Sequence, residues 1–416
     1  MTRPGGRRPW PRPADFPPPP TGADHARWLE ADRAARPARL ARLRARFDAA
    51  GVDAYFGVRR EHMRYLTGFT LAEGEEKGAG NSGQFVVGGD HVAVLADSRY
   101  TIQVGREASE ARVVEAYNDL PARWPALMAS FGARRVAVEA GFVAHATWRR
   151  LAAAAPDVEL VPVEGWVEAD RAVKEPAEIE RIAAACAVAD RALAALLPDI
   201  KPDVTEAALA LRLEWLMRTG GAEALAFDVA CLSGPEAALP HGSPGERPVR
   251  AGTVLLFDFG AQVAGYRSDM TRTLFVGEPA ARDLEIHALV ARAQAAPIAL
   301  LERAVGATAS GDDDPLPSGR AIHAMAWDVI DAAGHGAHFG HGTGHGIGLA
   351  THEMPGLGRL ASDDPLPSPT VFSVEPGVYL EGEMGVRIED LVVLDAAAGR
   401  LERLTGFPRD VLVVGT

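Results

Sequence analysis

The sequence has 416 residues, of which 47% are apolar and 24% charged; this ordinary globular composition excludes wholesale disorder and predicts two domains or three at roughly 100 to 200 residues each. Its 43 basic and 56 acidic side chains leave a formal charge of -13, which repels phosphates and anionic headgroups and argues against nucleic acid or a membrane surface as partner. Cys186 and Cys231 are the only cysteines, too few for the disulfide framework of a secreted protein, so a cytoplasmic location is expected.

Residues 1–24 are rich in Pro, Arg and Gly and are expected to form a disordered tail, having too little apolar surface to offset the entropy of ordering. No apolar run of signal-peptide type follows Arg7 and Arg8, and no later window is expected to cross a bilayer. From Trp28 to about Ala50 the pattern is helical, with Leu40, Leu43 and Phe47 on one face and Arg39, Arg42, Arg44 and Arg46 around them. It reads as a solvated amphipathic helix rather than an RNA-binding arm.

Short strands then alternate with helices: V-D-A-Y-F-G-V, a hairpin turning at Gly88-Gly89-Asp90, R-V-A-V-E, and V-E-L-V-P-V after a helix around Trp148. This predicts an α/β domain over residues 25–166. His62, His91 and His145 stand alone in it and read as structural or surface residues. A second domain, residues 172–416, opens with a helix starting near Pro176. It continues with helices around 205–219, 280–305 and 319–333, a turn-rich loop at 310–319, and strands to the end.

The chemistry concentrates in this second domain. Asp258 and Asp269 lie in T-V-L-L-F-D-F-G-A-Q-V-A-G-Y-R-S-D-M-T-R-T-L-F-V, whose ends read as antiparallel strands joined near Gly260 to Gly265. Two carboxylates in apolar strands are costly to bury side by side unless cations lie between them; the alternative is a turn cap and a pair with Arg267 or Arg272. H-F-G-H-G-T-G-H-G-I-G-L-A-T-H-E-M-P carries His338, His341, His345 and His352 among glycines that let the backbone approach a bound group. His323, His335 and His338 read as polar surface histidines of a glycine-rich loop. V-F-S-V-E-P-G-V-Y and M-G-V-R-I-E-D-L-V-V-L each set a glutamate, Glu375 and Glu389, in a β-rich apolar run. Four acids and one histidine make an oxygen-rich site suited to two Mn2+ or similar ions and too carboxylate-rich for structural zinc.

These motifs, with Y-L-T-G-F and D-S-R-Y in the first domain, resemble the pita-bread-fold metallopeptidases, specifically the branch of Xaa-Pro aminopeptidases and Xaa-Pro dipeptidases (prolidases). The resemblance runs from about residue 36 to the end. It implies a mixed α/β (α+β) chain with a creatinase-like N-terminal domain and a pita-bread catalytic domain, usually in homodimers or homotetramers. It further implies two divalent ions, Mn2+ with Co2+ or Zn2+ possible, with Asp258 on one, His345 and Glu375 on the other, and Asp269 and Glu389 bridging. His241, His341 and His352 are implied to contact the substrate and the tetrahedral intermediate, with Arg387 beside Glu389. The expected enzyme is a hydrolase cutting Xaa-Pro bonds at the N-terminus of dipeptides or short peptides, with metal-bridged hydroxide as nucleophile and Glu375 moving the proton. Some prolidases place an arginine four residues after the histidine matching His352; Gly356 stands there, and Arg359, three positions on, is the candidate cation for a substrate carboxylate. The stretch S-D-D-P-L-P-S-P-T also replaces a shorter Gly-Met turn. The alternatives are hydrolysis of a non-peptide amide at the same site, methionine aminopeptidase activity, and an inactive pita-bread binding module.

Overall fold

Runs of β-branched and aromatic residues separated by turn signals build the first of two units, residues 26–170, of the computed structural model, which describes residues 10–71, 82–116, 119–309 and 315–415. Six strands form one mixed sheet in the order Arg112–Glu115, Val92–Ala96, Gln84–Gly88, Ala54–Gly57, Arg135–Glu139, Glu159–Val163. The expected hairpin is present, with the Gly88 N–H donating to the His91 carbonyl at 2.9 Å. The last two strands are parallel and so need a crossover, which helix His145–Ala154 supplies. Phe56, Trp124, Leu127, Val136 and Val138 are among the apolar residues that fill this unit's core.

The arginine-rich helix differs from its sequence reading. It spans Gly22–Arg44, and a separate turn of helix follows at Phe47–Ala50. Its arginines, and Arg46 just after it, are not all solvated. Arg39 is buried, donates to the Tyr65 carbonyl at 3.1 Å and lies 4.3 Å from the Tyr65 ring centre, while the Arg46 guanidinium makes a double contact with the Asp170 carboxylate. Long cationic stems can cover apolar surface while their heads find partners inside the fold, which composition alone does not show.

The second unit takes residues 171–416 together with 1–25. The first 24 residues were expected to form a loose tail; residues 1–9 lie outside the described residues, but those from Trp10 onward are ordered against this unit. The Trp10 indole donates to the Val413 carbonyl at 3.0 Å, Arg191 donates to the Pro13 carbonyl at 2.9 Å, and the Phe16 ring stacks on Phe407 with centroids 6.1 Å apart. Two aromatic anchors offset the ordering entropy, and the prolines that flank them have less of it to lose.

Helix Pro176–Leu196 starts with Pro176 in its first turn and a capping box between Glu175 and Glu178. Helix Glu206–Thr219 is capped by Thr205, whose hydroxyl accepts from Ala208 N–H. Helix Ala281–Ala309 is, by length and composition, apolar enough to cross a membrane, which corrects the expectation that no such window exists. Ile286, Leu289, Val290 and Ala293 on it nevertheless belong to a core shared with strand Thr253–Phe259 and helix Gly319–Ala332, and Gln294 donates to the Val374 carbonyl and the Asp390 carboxylate. Of the loop expected at 310–319, residues 310–314 lie outside the described residues.

Two sheets carry the candidate ligands. One runs in the order Val413–Val414, Met270–Val276, Thr253–Phe259, Ala230–Ser233; the other in the order Glu353–Leu357, Gly344–Gly346, Thr370–Val374, Asp390–Asp395, Arg400–Arg403. The Asp258-to-Asp269 connection is the expected hairpin, turning at Ala264 and Gly265, both at positive φ.

Candidate functional site

Of the four candidate carboxylate ligands, only Asp258 sits inside a strand. Asp269 immediately precedes Met270–Val276, Glu375 immediately follows Thr370–Val374, and Glu389 immediately precedes Asp390–Asp395. Because Val374 pairs with Asp390, Glu375 and Glu389 leave neighbouring strands at the same end. His345 comes from the adjoining short strand, where the flanking glycines are required. A Cβ on Gly344 would stand 1.9 Å from the Ser373 carbonyl oxygen and one on Gly346 2.1 Å from that of Met354. All five side chains line one cavity of about 540 Å³.

His345 Nε2 lies 3.3 Å from Glu375 Oε1 and 3.6 Å from Asp269 Oδ2. Asp269, His345 and Glu389 offer ligand atoms within 4.8 Å of one another, a grouping that could hold a metal ion. Glu389 Oε2 accepts from the Thr271 hydroxyl at 2.7 Å, whereas Glu389 Oε1 and Asp258 Oδ1 are buried with no hydrogen-bond partner among the described residues. A buried carboxylate oxygen without a partner is expensive, and one on each of two residues that line the same cavity suits a cation.

The electrostatics agree. Burial first, and then Glu389, Asp258 and Glu375, push the Asp269 carboxyl well above its usual range; burial and then Glu375 and Asp258 do the same to Glu389. Asp258 is raised by burial too, with the Arg387 guanidinium pulling the other way. Burial raises Glu375 and lowers His345, but their mutual hydrogen bond and charge override it, taking Glu375 down to about 2 and His345 up to about 9. The cluster thus carries more negative charge than its own protein partners neutralise, as expected of a cation site.

His241, His341 and His352 all line the cavity, as does Arg387. His341 is engaged on both ring nitrogens: Nδ1 donates to the Gly342 carbonyl at 2.7 Å, and Nε2 accepts from the Tyr379 hydroxyl at 2.8 Å, which in turn accepts from Arg387 Nη1 at 2.8 Å. His352, with its ring 4.3 Å from that of His345, has no such commitment among the described residues. Burial lowers the affinity of both for a proton, which favours neutral rings. Arg359 is exposed and is not among the cavity's lining residues. The carboxylate-binding place suggested for it is therefore not where its side chain lies, because its chain segment turns out to solvent after Leu357.

Tyr379 and Thr271 escaped the sequence reading. Tyr379 is buried, and burial pushes its hydroxyl up to about 12; the available signal was a tyrosine four residues after Glu375 in an otherwise aliphatic strand. Phe227 and Asp228 at the cavity edge gave no signal. His323, expected at the surface, is instead buried, its ring packed near Phe339 and bonded to the Thr343 hydroxyl at 3.0 Å. His62 is likewise structural, held 2.8 Å from the buried Glu139 carboxylate.

Comparison with known proteins accounts for most of the chain. Residues 180–396 match the model of metallopeptidase family M24, and residues 39–173 match the creatinase/prolidase N-terminal domain. The uncharacterized peptidase YqhT of Bacillus subtilis (strain 168) is 34% identical over 376 residues, covering 90% of this chain and 100% of that protein. An Xaa-Pro dipeptidase of Pyrococcus furiosus is 36% identical over 242 residues, 58% of this chain and 65% of its own length. Among solved structures, an Xaa-Pro dipeptidase from Bacillus anthracis superposes with a TM-score of 0.80 at 31% identity, and an X-Pro aminopeptidase from Thermotoga maritima MSB8 with 0.78 at 32%. Each match covers 90% of this chain and 99% of the other. The match over residues 180–396, together with 34% identity across the whole of a Bacillus subtilis peptidase, shows that this chain belongs to metallopeptidase family M24, with a pita-bread domain preceded by a creatinase-like one.

Proposed function

We propose that this chain is a two-metal exopeptidase that hydrolyses the Xaa-Pro bond at the N-terminus of dipeptides or short peptides. The observation that carries this reading is the convergence of Asp258, Asp269, His345, Glu375 and Glu389 on one cavity, with Asp258 Oδ1 and Glu389 Oε1 buried and without a hydrogen-bond partner among the described residues. The donor set fits hard divalent ions, Mn2+ first and Co2+ or Zn2+ as alternatives. Asp258 would hold one ion, His345 and Glu375 the other, with Asp269 and Glu389 shared. When bound, such a pair acidifies water and polarises a carbonyl.

The chain's own residues would divide the remaining work. Glu375, whose Oε1 is oriented by the Ser373 hydroxyl at 2.9 Å, would accept a proton from the attacking water and deliver it to the leaving prolyl nitrogen. His352, whose ring has no hydrogen bond among the described residues, would donate to the developing oxyanion, a contribution of about 3 kcal/mol. His241 would border the leaving-side pocket. His341, tied to Tyr379, would serve the substrate only by exchanging that bond. The proline preference is supported by relatives named Xaa-Pro dipeptidase and X-Pro aminopeptidase. A cytoplasmic location is part of the proposal, supported by the free, buried Cys186 and Cys231.

The test is turnover of Gly-Pro and Gly-Pro-Ala by metal-stripped protein reloaded with Mn2+, Co2+ or Zn2+. Cleavage of at least one peptide, dependent on the metal, is expected. Failure on both with all three ions overturns the reading.

A further inference from the structure

His352 lines the cavity of the candidate metal cluster, its ring 4.3 Å from that of His345, and has no hydrogen bond among the described residues to fix its ring, so its placement depends on the chain segment that carries it. That segment is pinned on both sides. On one side the Thr351 hydroxyl donates to the Ala226 carbonyl at 3.1 Å, and Arg267 Nη1 donates to the same carbonyl and to Thr351 Oγ1. On the other side lies Glu353, the next residue in the chain. Its carboxylate pairs with the Arg171 guanidinium and, at 2.7 Å, with Lys174 Nζ; the three side chains are 3%, 2% and 0% exposed.

The same carboxylate closes the loop that carries His352. Ala350 N–H donates to Glu353 Oε2 at 3.3 Å, Gly348 N–H donates to the Ala350 carbonyl at 3.0 Å, and the Gly348 carbonyl accepts from Arg267 N–H at 2.9 Å. Gly348 leaves room for this: a Cβ there would stand 2.4 Å from Glu353 Oε1 and 3.3 Å from Lys174 Nζ. Lys174 is itself fixed, its Nζ donating to the Arg171 carbonyl and its N–H to the Pro369 carbonyl at 2.8 Å. Burial works against an ionised Glu353, but Arg171 and Lys174 outweigh it and hold the carboxyl below its usual range.

Two cations and one anion taken out of water contribute little net stability compared with apolar residues of the same volume. What such a cluster supplies is geometry, and here it bears on the residue beside it. We infer that Glu353, clamped by Arg171 and Lys174, is a positioning residue that sets the orientation of His352 toward the substrate. This rests on the proposed role of His352.

The experiment is a double-mutant cycle on kcat/KM for the better of Gly-Pro and Gly-Pro-Ala with the Mn2+-loaded enzyme, using Glu353→Gln, His352→Ala and the double variant. Glu353→Gln is expected to lose about 10- to 100-fold, mainly in kcat, with metal content unchanged. In the His352→Ala background the same substitution is expected to change the rate by less than about twofold, because the group it positions is gone. Lys174→Met, which leaves the Arg171 pair, carries the same test if Glu353→Gln folds poorly. A second readout needs no activity. In 15N-histidine spectra of metal-free protein, the ring resonance missing from His352→Ala should move in Glu353→Gln while that of His287 stays. Equal losses in both backgrounds, or an unmoved His352 resonance, would overturn the inference in favour of a purely structural cluster. A wild-type His352→Ala rate would overturn it by removing the group it acts through. Inactivity of the wild-type enzyme would instead refute the peptidase reading, leaving the resonance shift to decide the positioning.

Discussion

Arg387 is the residue that holds Asp258: its Nη2 donates to Asp258 Oδ2 at 2.6 Å, while Oδ1 is buried without a hydrogen-bond partner among the described residues. Its Nε donates to Thr271 Oγ1 at 2.8 Å, and that hydroxyl donates to Glu389 Oε2 at 2.7 Å. One buried guanidinium thus orients two candidate ligands through separate nitrogens, which a lysine cannot imitate because its donors share a single atom. Arg387→Lys is expected to keep the fold and lose about 10- to 100-fold in metal affinity or kcat/KM. Arg387→Ala strands a buried carboxylate and should cost about 3 to 5 kcal/mol of stability as well. Metal titration and urea unfolding of the two variants separate these effects; equal behaviour would refute the forked role.

Metal binding should control stability as well as turnover. In metal-free protein Asp269 and Glu389 repel one another in a buried site. Added Mn2+ is expected to raise the melting temperature of the wild type, by the equivalent of about 2.7 kcal/mol at a hundredfold excess over Kd. Glu389→Gln removes one of the repelling charges. It should abolish turnover and the Mn2+-induced shift while leaving the metal-free melting temperature equal to or above that of the wild type. A metal-free variant clearly less stable than the metal-free wild type would contradict the repulsion argument.

Arg359 gives a negative prediction. It was the candidate cation for a dipeptide's carboxylate, yet it is exposed and outside the cavity lining. Arg359→Ala is expected to change KM for Gly-Pro by less than about twofold, the scale of an ordinary surface substitution. A tenfold rise would show that the segment after Leu357 moves inward when substrate binds.

These residues also mark how far the sequence could be read. The ligands were legible because ionisable groups in apolar strands conflict with their surroundings, and that conflict is visible without coordinates. Glu375 and Glu389 were placed inside strands, whereas they lie just beyond strand ends, a one-residue difference that hydrophobic pattern does not resolve. Tyr379 and Thr271 were invisible because each suits a strand and only the partner, Arg387 in both cases, reveals a further role. The ordering of Trp10 and Phe16 was missed for a related reason: composition measures how much apolar surface a segment has, not whether two aromatic rings find a partner such as Phe407 in a distant segment. The buried Arg39 inverts the usual meaning of an arginine-rich helix in the same way.

His287 supplies a pH dependence separate from the metal site. It is 5% exposed on helix Ala281–Ala309, its ring 5.6 Å from that of Phe275. Burial takes its pKa from 6.5 down to about 4, with Asp410 opposing and Arg272 reinforcing the shift. The unfolded chain therefore takes up a proton below pH 6.5 that the folded chain refuses until about pH 4. Across that window the unfolded state binds more protons, so stability falls as pH falls, by up to about 3 kcal/mol from this one group. Carboxylates elsewhere titrate over the same range, which makes the difference between proteins the informative quantity. His287→Leu, close in volume and unable to charge, is expected to lose less stability than the wild type between pH 6.5 and pH 4, read from urea midpoints at both values. Parallel losses in the two proteins would mean that His287 is protonated within the fold, and would remove burial as the cause of its shift.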